Sequence, residues 1–354
     1  MRYDFWSNRE DTVLLSVAGS GKTRCLIEKM RYLALKNVCT KKQMLVFSFS
    51  KFTIESMKHR CSEYQDASVF CEQSGHIKTI DSFCKYLIEK VEASMGEVQG
   101  TSVSVLSSKA LELIQTNGEL VKKKAFAKRG RYSDIRVLFV DEAQDLNETQ
   151  YKIVQFIQQA TGCTLHLIGD PNQNIYQFRQ SFERFMLNHQ ARQFRLTRNF
   201  RCSPCIEAFS NHFQFYSCPP ALSGGEGPMQ GIENAGTVDV QLMIRSQSEN
   251  DQFILKLLQD LKIRKEIPLG RVAFLSPVVG EQFQSGIKRV ANLLESAGIP
   301  YTSLYNDMKD DTPKKVQQKQ SRQSVNLMTI HGSKGLEFDV VVLTTLVDRM
   351  MYQE

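Results

Sequence analysis

Residues 137–146 read "VLFVDEAQDL". Four apolar residues of β-branched and aromatic type run straight into the adjacent acids Asp141 and Glu142. Loss of apolar/polar alternation is what a strand covered on both faces shows, because neither face meets water, and such strands belong to parallel sheets lined with helices. Asp141 then stands at the carboxyl end of its strand, the edge where open α/β sheets take their ligands. Two acids leaving a strand can also simply meet solvent or cap the next helix. What else the chain brings to that edge decides between the readings.

The stretch "SVAGSGKT" (16–23) supplies it. It follows the apolar run "TVLLSV" (12–17) and opens a helical pattern, the context in which a glycine-rich loop holds phosphate. Within the loop Ala18, Gly19, Ser20, Gly21, Lys22, Thr23, the two glycines let backbone amides turn inward around phosphate oxygens. Lys22 reaches the outer phosphates and Thr23 offers its hydroxyl to magnesium. The glycine that usually heads the motif is Ser16 here. With phosphates on this loop, Asp141 is the expected carboxylate for the metal that Thr23 also touches, and Glu142 is placed to take a proton from an attacking water. ATP and Mg2+ are the expected cofactors. An acid pair of this kind is costly to bury alone and stable beside a cation.

Outward from these two stretches, "MLVFSF" (44–49), "HIKTI" (76–80), "RVLFV" (136–140) and "TLHLIG" (164–169) alternate with helical patterns, the signature of βαβ units and a parallel sheet. The pattern restarts after about residue 190 with "FRLT" (194–197), "TVDVQLM" (237–243), "RVAFLS" (271–276) and "FDVVVLTTLV" (338–347). Between these runs Phe253, Leu257, Leu258 and Leu261, then Ile287, Val290 and Leu294, recur at helical spacing. The expected fold is therefore α/β, in two tandem units at 1–190 and 191–354, with mostly parallel sheets flanked by helices. "SGGEGPMQGIENAG" (223–236) reads as a surface loop. The basic stretches at 121–131 and 313–322 read as solvated loops, strand contacts or, for the first, a nuclear address.

Composition narrows the class. The 354 residues carry 45 basic against 38 acidic side chains, a net charge of +7 that favours an anionic partner. No apolar run is long enough to span a bilayer, and the opening "MRYDFWSNRED" is charged where a secretory signal needs a hydrophobic segment. An intracellular protein, cytoplasmic or nuclear, is expected. Nine scattered cysteines, an odd number, argue for reduced thiols over a disulfide framework. Cys202 and Cys205 form a single CxxC, read as ordinary packing ahead of zinc or redox chemistry.

Taken in order, "AGSGKT", "LVFSFSKFTIESM" (45–57), "TIDSFC" (79–84), "DEAQD" (141–145), "GDPNQNIYQFR" (169–179), "LTRNFR" (196–201) and "VNLMTIHGSKGLEFDVV" (325–341) resemble the motifs of superfamily 1 DNA helicases of the UvrD, Rep and PcrA kind, with some likeness to the F-box DNA helicase branch. The resemblance implies two RecA-like P-loop domains. It assigns Gln173 to sensing the γ-phosphate from the first domain and Arg201 to reaching it from the second as an arginine finger. It assigns Phe200 to stacking on adenine, and Glu337 to the ribose or to coupling the domains. Phe49 and Phe178 look like the rings on which successive bases of single-stranded DNA stack, with Arg179 beside Phe178 for a phosphate. Thr79, Ser82 and His331 are implied strand contacts, although Asp81 stands where the family often has histidine. The implied activity is an ATP-dependent 3′ to 5′ translocase or helicase on single-stranded or partly duplex DNA, monomeric, acting in repair, recombination or replication.

Three departures accompany the likeness. No "LNxxQ" glutamine motif precedes the first strand, and only "TSLYNDMKDDTPKKVQQKQSRQS" lies where the family carries a large accessory insert. The third is that the sequence ends at "VDRMMYQE", ahead of the motif that normally delivers a second arginine. A truncated gene product or an incomplete gene model would account for both ends as well as an adaptation would. Two other functions therefore stand beside the motor: a weakened remnant that binds nucleotide and DNA without unwinding, and a P-loop switch unrelated to nucleic acid.

Overall fold

Burial on both faces of one strand organises the first half of the chain. In Val137–Asp141 the side chains of Leu138 and Val140 enter one apolar cluster while Val137 and Phe139 enter another, so a sheet with helices on each side is the only way to satisfy the strand. The structure, a computed structural model, describes residues 2–49, 51–64, 76–95, 105–128, 132–175, 184–217, 247–264, 267–276, 284–303 and 323–344. The chain divides into two units, Met1–Val240 and Gln241–Glu354.

In the first unit the elements are α1 (Arg2–Ser7), β1 (Thr12–Ser16), α2 (Lys22–Leu35), β2 (Met44–Phe47), α3 (Lys51–Ser62), β3 (Ile77–Lys78), α4 (Ile80–Met95), α5 (Leu106–Ala125), β4 (Val137–Asp141), α6 (Glu148–Thr161), β5 (Thr164–Gly169), α7 (Arg184–Leu187), β6 (Arg192–Leu196) and α8 (Pro204–Ser217). The strands pair all parallel in the order β3-β2-β4-β5-β1-β6. One face is covered by α4, α5 and α6 through residues such as Phe83, Leu87, Val121, Val154 and Ile157. The other packs on α1, α2 and α3 through Phe5, Leu26, Ile27, Met30 and Met57. Local signals fix the helix ends: α6 starts at a capping box between Asn147 and Gln150 and stops at Gly162, whose φ of 67° few side chains tolerate.

The second unit holds α9 (Gln247–Arg264), β7 (Val272–Ser276), α10 (Gln284–Ser296), β8 (Tyr301–Ser303), β9 (Val325–Thr329) and β10 (Val340–Leu343). Its described strands are parallel, in the order β10-β7-β9-β8. Ile254 and Leu258 of α9 and Ile287, Val290 and Leu294 of α10 cover one face against Val272, Phe274, Val325 and Leu327. Ile330, Leu336 and Phe338 pack on the other, against Ala273, Leu275 and Met328.

Three expectations need correcting. Strand β6, read from "FRLT" as the opening of the second unit, pairs with β1 from Thr12↔Arg192 to Ser16↔Leu196 and closes the first sheet. The boundary accordingly falls at Val240 and not at residue 190. The cause is that a sixth strand beside β1 covers an edge that would otherwise be open, which a run of four residues cannot reveal by itself. Lys122, Lys123 and Lys124 are not loop residues but the last turn of α5, where cations face the helix carbonyls favourably, while Val121 and Ala125 are buried. The expected strand at 237–243, the glycine-rich loop at 223–236 and the basic stretch at 313–322 lie outside the described residues.

Candidate active site

The carboxyl ends of β1, β4 and β5 meet at one edge of the first sheet, because β5 pairs with both β1 and β4. The chain leaves β1 into the loop 17–21, in which Gly19 and Gly21 take φ values of 69° and 82°, the left-handed region that favours glycine. Ser20 Oγ donates to the Val17 carbonyl at 2.7 Å and closes the loop on itself. Ser16, standing where a glycine is usual, donates from its hydroxyl to the Gly169 carbonyl at 3.0 Å and ties the start of the loop to the end of β5. Helix α2 then begins at Lys22, so its first backbone N–H groups face the loop.

Across the edge, Asp141 is buried at the end of β4 and Glu142 follows with a φ of 55°. A positive φ is rare outside glycine, and it turns the Glu142 side chain back along the edge. Lys22 Nζ meets Glu142 Oε2 at 2.9 Å, and Thr23 Oγ1 lies 3.5 Å from Asp141 Oδ2. Gln144 donates from Nε2 to Glu142 Oε2 at 2.8 Å and accepts the Asp170 backbone N–H on Oε1 at 3.0 Å. Asp170 in turn accepts from Gln173 Nε2 at 2.8 Å. Lys22, Glu142, Gln144, Asp170 and Gln173 therefore form one continuous polar chain. Gly169 makes room for it: a Cβ there would run into Gln144 Oε1.

One lysine faces three carboxyl groups. Burial works against the Lys22 ammonium, yet Glu142, Asp141 and Asp170 together hold its pKa above the ordinary value. The acids fare worse. Burial and the neighbouring Glu142 charge push Asp141 up to about 7 against the pull of Lys22. Burial likewise takes Asp170 up to about 6. Among the described residues, the pull of Lys22 does not offset the burial of Asp141 and Asp170. The residues present fit a divalent cation on that ground, with Asp141 and Thr23 as the oxygen donors.

The segment after β6 returns to the same loop. Val17 donates its backbone N–H to the Leu196 carbonyl at 3.0 Å, and Phe200 donates its own to the Gly19 carbonyl at 2.9 Å. Buried Asn199 accepts the backbone N–H groups of Arg201 and Cys202 on Oδ1, at 2.8 and 3.1 Å. A Cβ on Gly19 would strike that oxygen. Phe200 is left 47% exposed beside the loop. The assignment of Arg201 to the second domain is thus corrected: it sits in the first unit, next to the phosphate loop, because β6 belongs to the first sheet.

The remaining candidates are distributed. Phe49 and Thr79 are half-buried and follow β2 and β3 at the carboxyl edge of the first sheet, Thr79 Oγ1 accepting the Ser82 backbone N–H at 3.1 Å. His331 and Glu337 belong to the second unit, where the Glu337 carbonyl accepts from Arg271 Nη1 at 3.0 Å and Arg271 also pairs with Asp339. Phe178 and Arg179 lie outside the described residues. Sequence reading gave no role to Gln144, Asp170 or Asn199. All three stood inside motifs quoted above, and the pairing of β4 with β5 is what brings Gln144 and Asp170 together.

Two family models match the chain. That of the UvrD/REP helicase N-terminal domain matches residues 6–129 and 104–193, and that of the UvrD-like helicase C-terminal domain matches 281–351. A protein of Acanthamoeba polyphaga mimivirus named as an ATP-dependent DNA helicase is 32% identical over 338 residues, 94% of this chain and 45% of the relative. A Mycoplasma pneumoniae protein named as a DNA helicase is 23% identical over 422 aligned residues, 95% of this chain and 73% of the relative. The chain thus spans less than half the length of the mimivirus protein. No helix among the described residues is long and apolar enough to cross a membrane. With its N-terminal model matched over more than half of the sequence, the chain belongs to the UvrD/REP helicase family.

Proposed function

We propose that the chain is a DNA-dependent ATPase that translocates along single-stranded DNA in the 3′ to 5′ direction and serves DNA repair, recombination or replication. The observation that carries this is the ion pair of Lys22 with Glu142 at 2.9 Å, beside the buried Asp141 and the Thr23 hydroxyl. Phosphate oxygens compete with Glu142 for Lys22, so a bound triphosphate frees the Glu142 carboxylate to accept a proton from water. Gln144 keeps that carboxylate aimed along the edge as it changes partner. Mg2+, held by Thr23 and Asp141, would supply neutralisation of the phosphate charge. Arg201, on the loop that touches Gly19, adds positive charge to the same phosphates, and the exposed Phe200 ring offers its face to adenine.

Family membership and the position of two candidate contacts support DNA as the partner. Phe49 and Thr79 follow strands that end on the same sheet edge as the loop 17–21, a position that supports base stacking and hydrolysis on one framework. Phe178, Arg179 and His331 join them as strand contacts, and Glu337 as a nucleotide contact, on sequence grounds alone.

The test is the rate of phosphate release from ATP with and without single-stranded DNA, for wild type and Lys22→Ala. Strong stimulation by DNA that Lys22→Ala abolishes supports the motor. DNA binding without turnover in wild type selects the weakened remnant, and turnover indifferent to DNA selects a nucleotide switch unrelated to nucleic acid.

A further inference from the structure

Past the end of β6 the chain stays on the loop 17–21 for several residues. The Leu196 carbonyl accepts the Val17 N–H at 3.0 Å, and the Phe200 N–H reaches the Gly19 carbonyl at 2.9 Å, so two backbone bonds strap the segment to the loop. Gly19, at a φ of 69°, lies directly against it: a Cβ there would come within 2.2 Å of Asn199 Oδ1 and 2.8 Å of the Arg201 Cβ. The root of the Arg201 side chain is therefore packed on the loop backbone, although Arg201 as a whole is exposed.

Asn199 holds that root in place. It is fully buried, and its Oδ1 accepts the backbone N–H groups of Arg201 at 2.8 Å and Cys202 at 3.1 Å. Bonds of this kind, two and three residues on, let a side chain stand in for the backbone pairing that a turn lacks. The turn needs such a stand-in, because β6 has ended at Leu196 and α8 does not begin until Pro204. The other end of the same amide behaves differently. Asn199 Nδ2 is buried with no hydrogen-bond partner among the described residues. An unpaired buried donor costs free energy, and a side chain selected for packing alone would not carry one. The amide is thus explained by what its oxygen holds, which is Arg201.

We infer that Asn199 is a positioning residue for nucleotide binding: it acts through Arg201, by fixing the turn that presents the guanidinium beside the loop 17–21. Three features converge on this reading, namely the bond to the Arg201 N–H, the contact with the Gly19 position and the unpaired Nδ2. Removing the amide frees the Arg201 and Cys202 N–H groups and opens space against Gly19, so the turn loosens and Arg201 loses its fixed start. A positioned charge binds better than a mobile one because less side-chain freedom is lost when the ligand arrives.

The effect on binding rests on the proposed nucleotide site, whereas the hold on the turn does not, and the test separates them. Amide hydrogen exchange of the full chain without nucleotide is compared for wild type, Asn199→Ala and Asn199→Ser. In Asn199→Ala, faster exchange should be confined to residues 197–203 and the loop 17–21. Asn199→Ser, which keeps a weaker acceptor at the same place in the turn, should lie between the two. Unchanged exchange there, or loosening across the whole first unit, overturns the inference. Affinity for a fluorescent ATP analogue is then measured in a double-mutant cycle. Asn199→Ala should weaken binding roughly five- to thirtyfold, the worth of one to two neutral hydrogen bonds. In an Arg201→Ala background the same change should cost no more than about twofold, since the two residues act as a unit. Independent, additive losses would make Asn199 merely structural and overturn its action through Arg201. Asn199→Ser carries the same cycle if the alanine variant does not fold. Wild type that binds no analogue sinks the nucleotide site and with it the action through Arg201, while the exchange pattern still decides whether Asn199 holds the turn.

Discussion

Helix α2 carries a half-buried lysine at its first residue and a fully buried one two turns on, and their surroundings differ in kind. Lys22 opens the helix and faces the carboxylates of Glu142, Asp141 and Asp170. Lys29, two turns on and fully buried, donates to the backbone carbonyls of Phe5 at 2.6 Å and Asn8 at 3.0 Å and lies 4.3 Å above the Phe5 ring. Neutral carbonyls satisfy an ammonium without returning a full opposite charge, so burial brings Lys29 down to about 7 while Lys22 moves up. Lys29 ties the end of α1 to the helical layer and is complete as it stands. Lys22 sits in a cluster with more acid than base, an arrangement that calls for a ligand.

The comparison breaks first at Glu142. Glu142→Gln keeps the size and the bond to Gln144 but removes the proton acceptor, so phosphate release in the presence of DNA should fall about 100- to 10,000-fold with nucleotide still bound. A loss under tenfold would make the Lys22–Glu142 pair structural, like Lys29. The reverse experiment is Lys29→Ala, which should cost about 2 to 4 kcal/mol of stability in denaturant titration, from the cavity left by the stem and two carbonyls without a donor, and leave KM for ATP nearly unchanged. An equal loss of nucleotide affinity would erase the distinction.

Gln144→Leu sharpens the comparison at the active edge. It strands the Asp170 N–H and releases Glu142, so kcat should drop about tenfold with little change in KM. The smallest effect is in pH. Because the folded pKa of Lys29, about 7, lies below its unfolded value, the unfolded chain binds more protons between about 7 and 10, and stability rises with pH across that window. Raising the pH from 7 to 8 should favour wild type over Lys29→Ala by about 1 kcal/mol; a flat difference would mean that the carbonyls keep Lys29 charged.

Much of this was legible in the residues. "TLHLIG" became β5 without adjustment, and "VLFVD" announced a strand buried on both faces because its apolar run lacks alternation. Gly19, Lys22, Asp141 and Glu142 were legible because phosphate and metal chemistry demands those types at those spacings. The place of β6 was not, since strand neighbours in a parallel sheet are set by long-range pairing that four apolar residues cannot encode, and Arg201 followed that error into the wrong unit. Gln144 and Asp170 escaped for a related reason: each gains its role from a partner 26 residues away, whereas Asn199 bonds two and three residues on and matters through its contact with the Gly19 position. Lys29 was hidden inside an ordinary helical pattern, and only its burial marks it.

The central claim is that the acidic edge of the first sheet is stabilised by a magnesium nucleotide engaging Lys22. Thermal unfolding with and without Mg2+ and a non-hydrolysable ATP analogue tests it most directly. At about 100 times the dissociation constant the analogue should add about 2.7 kcal/mol to wild type and nothing to Lys22→Ala. No stabilisation of wild type, or the same stabilisation in both, would contradict it.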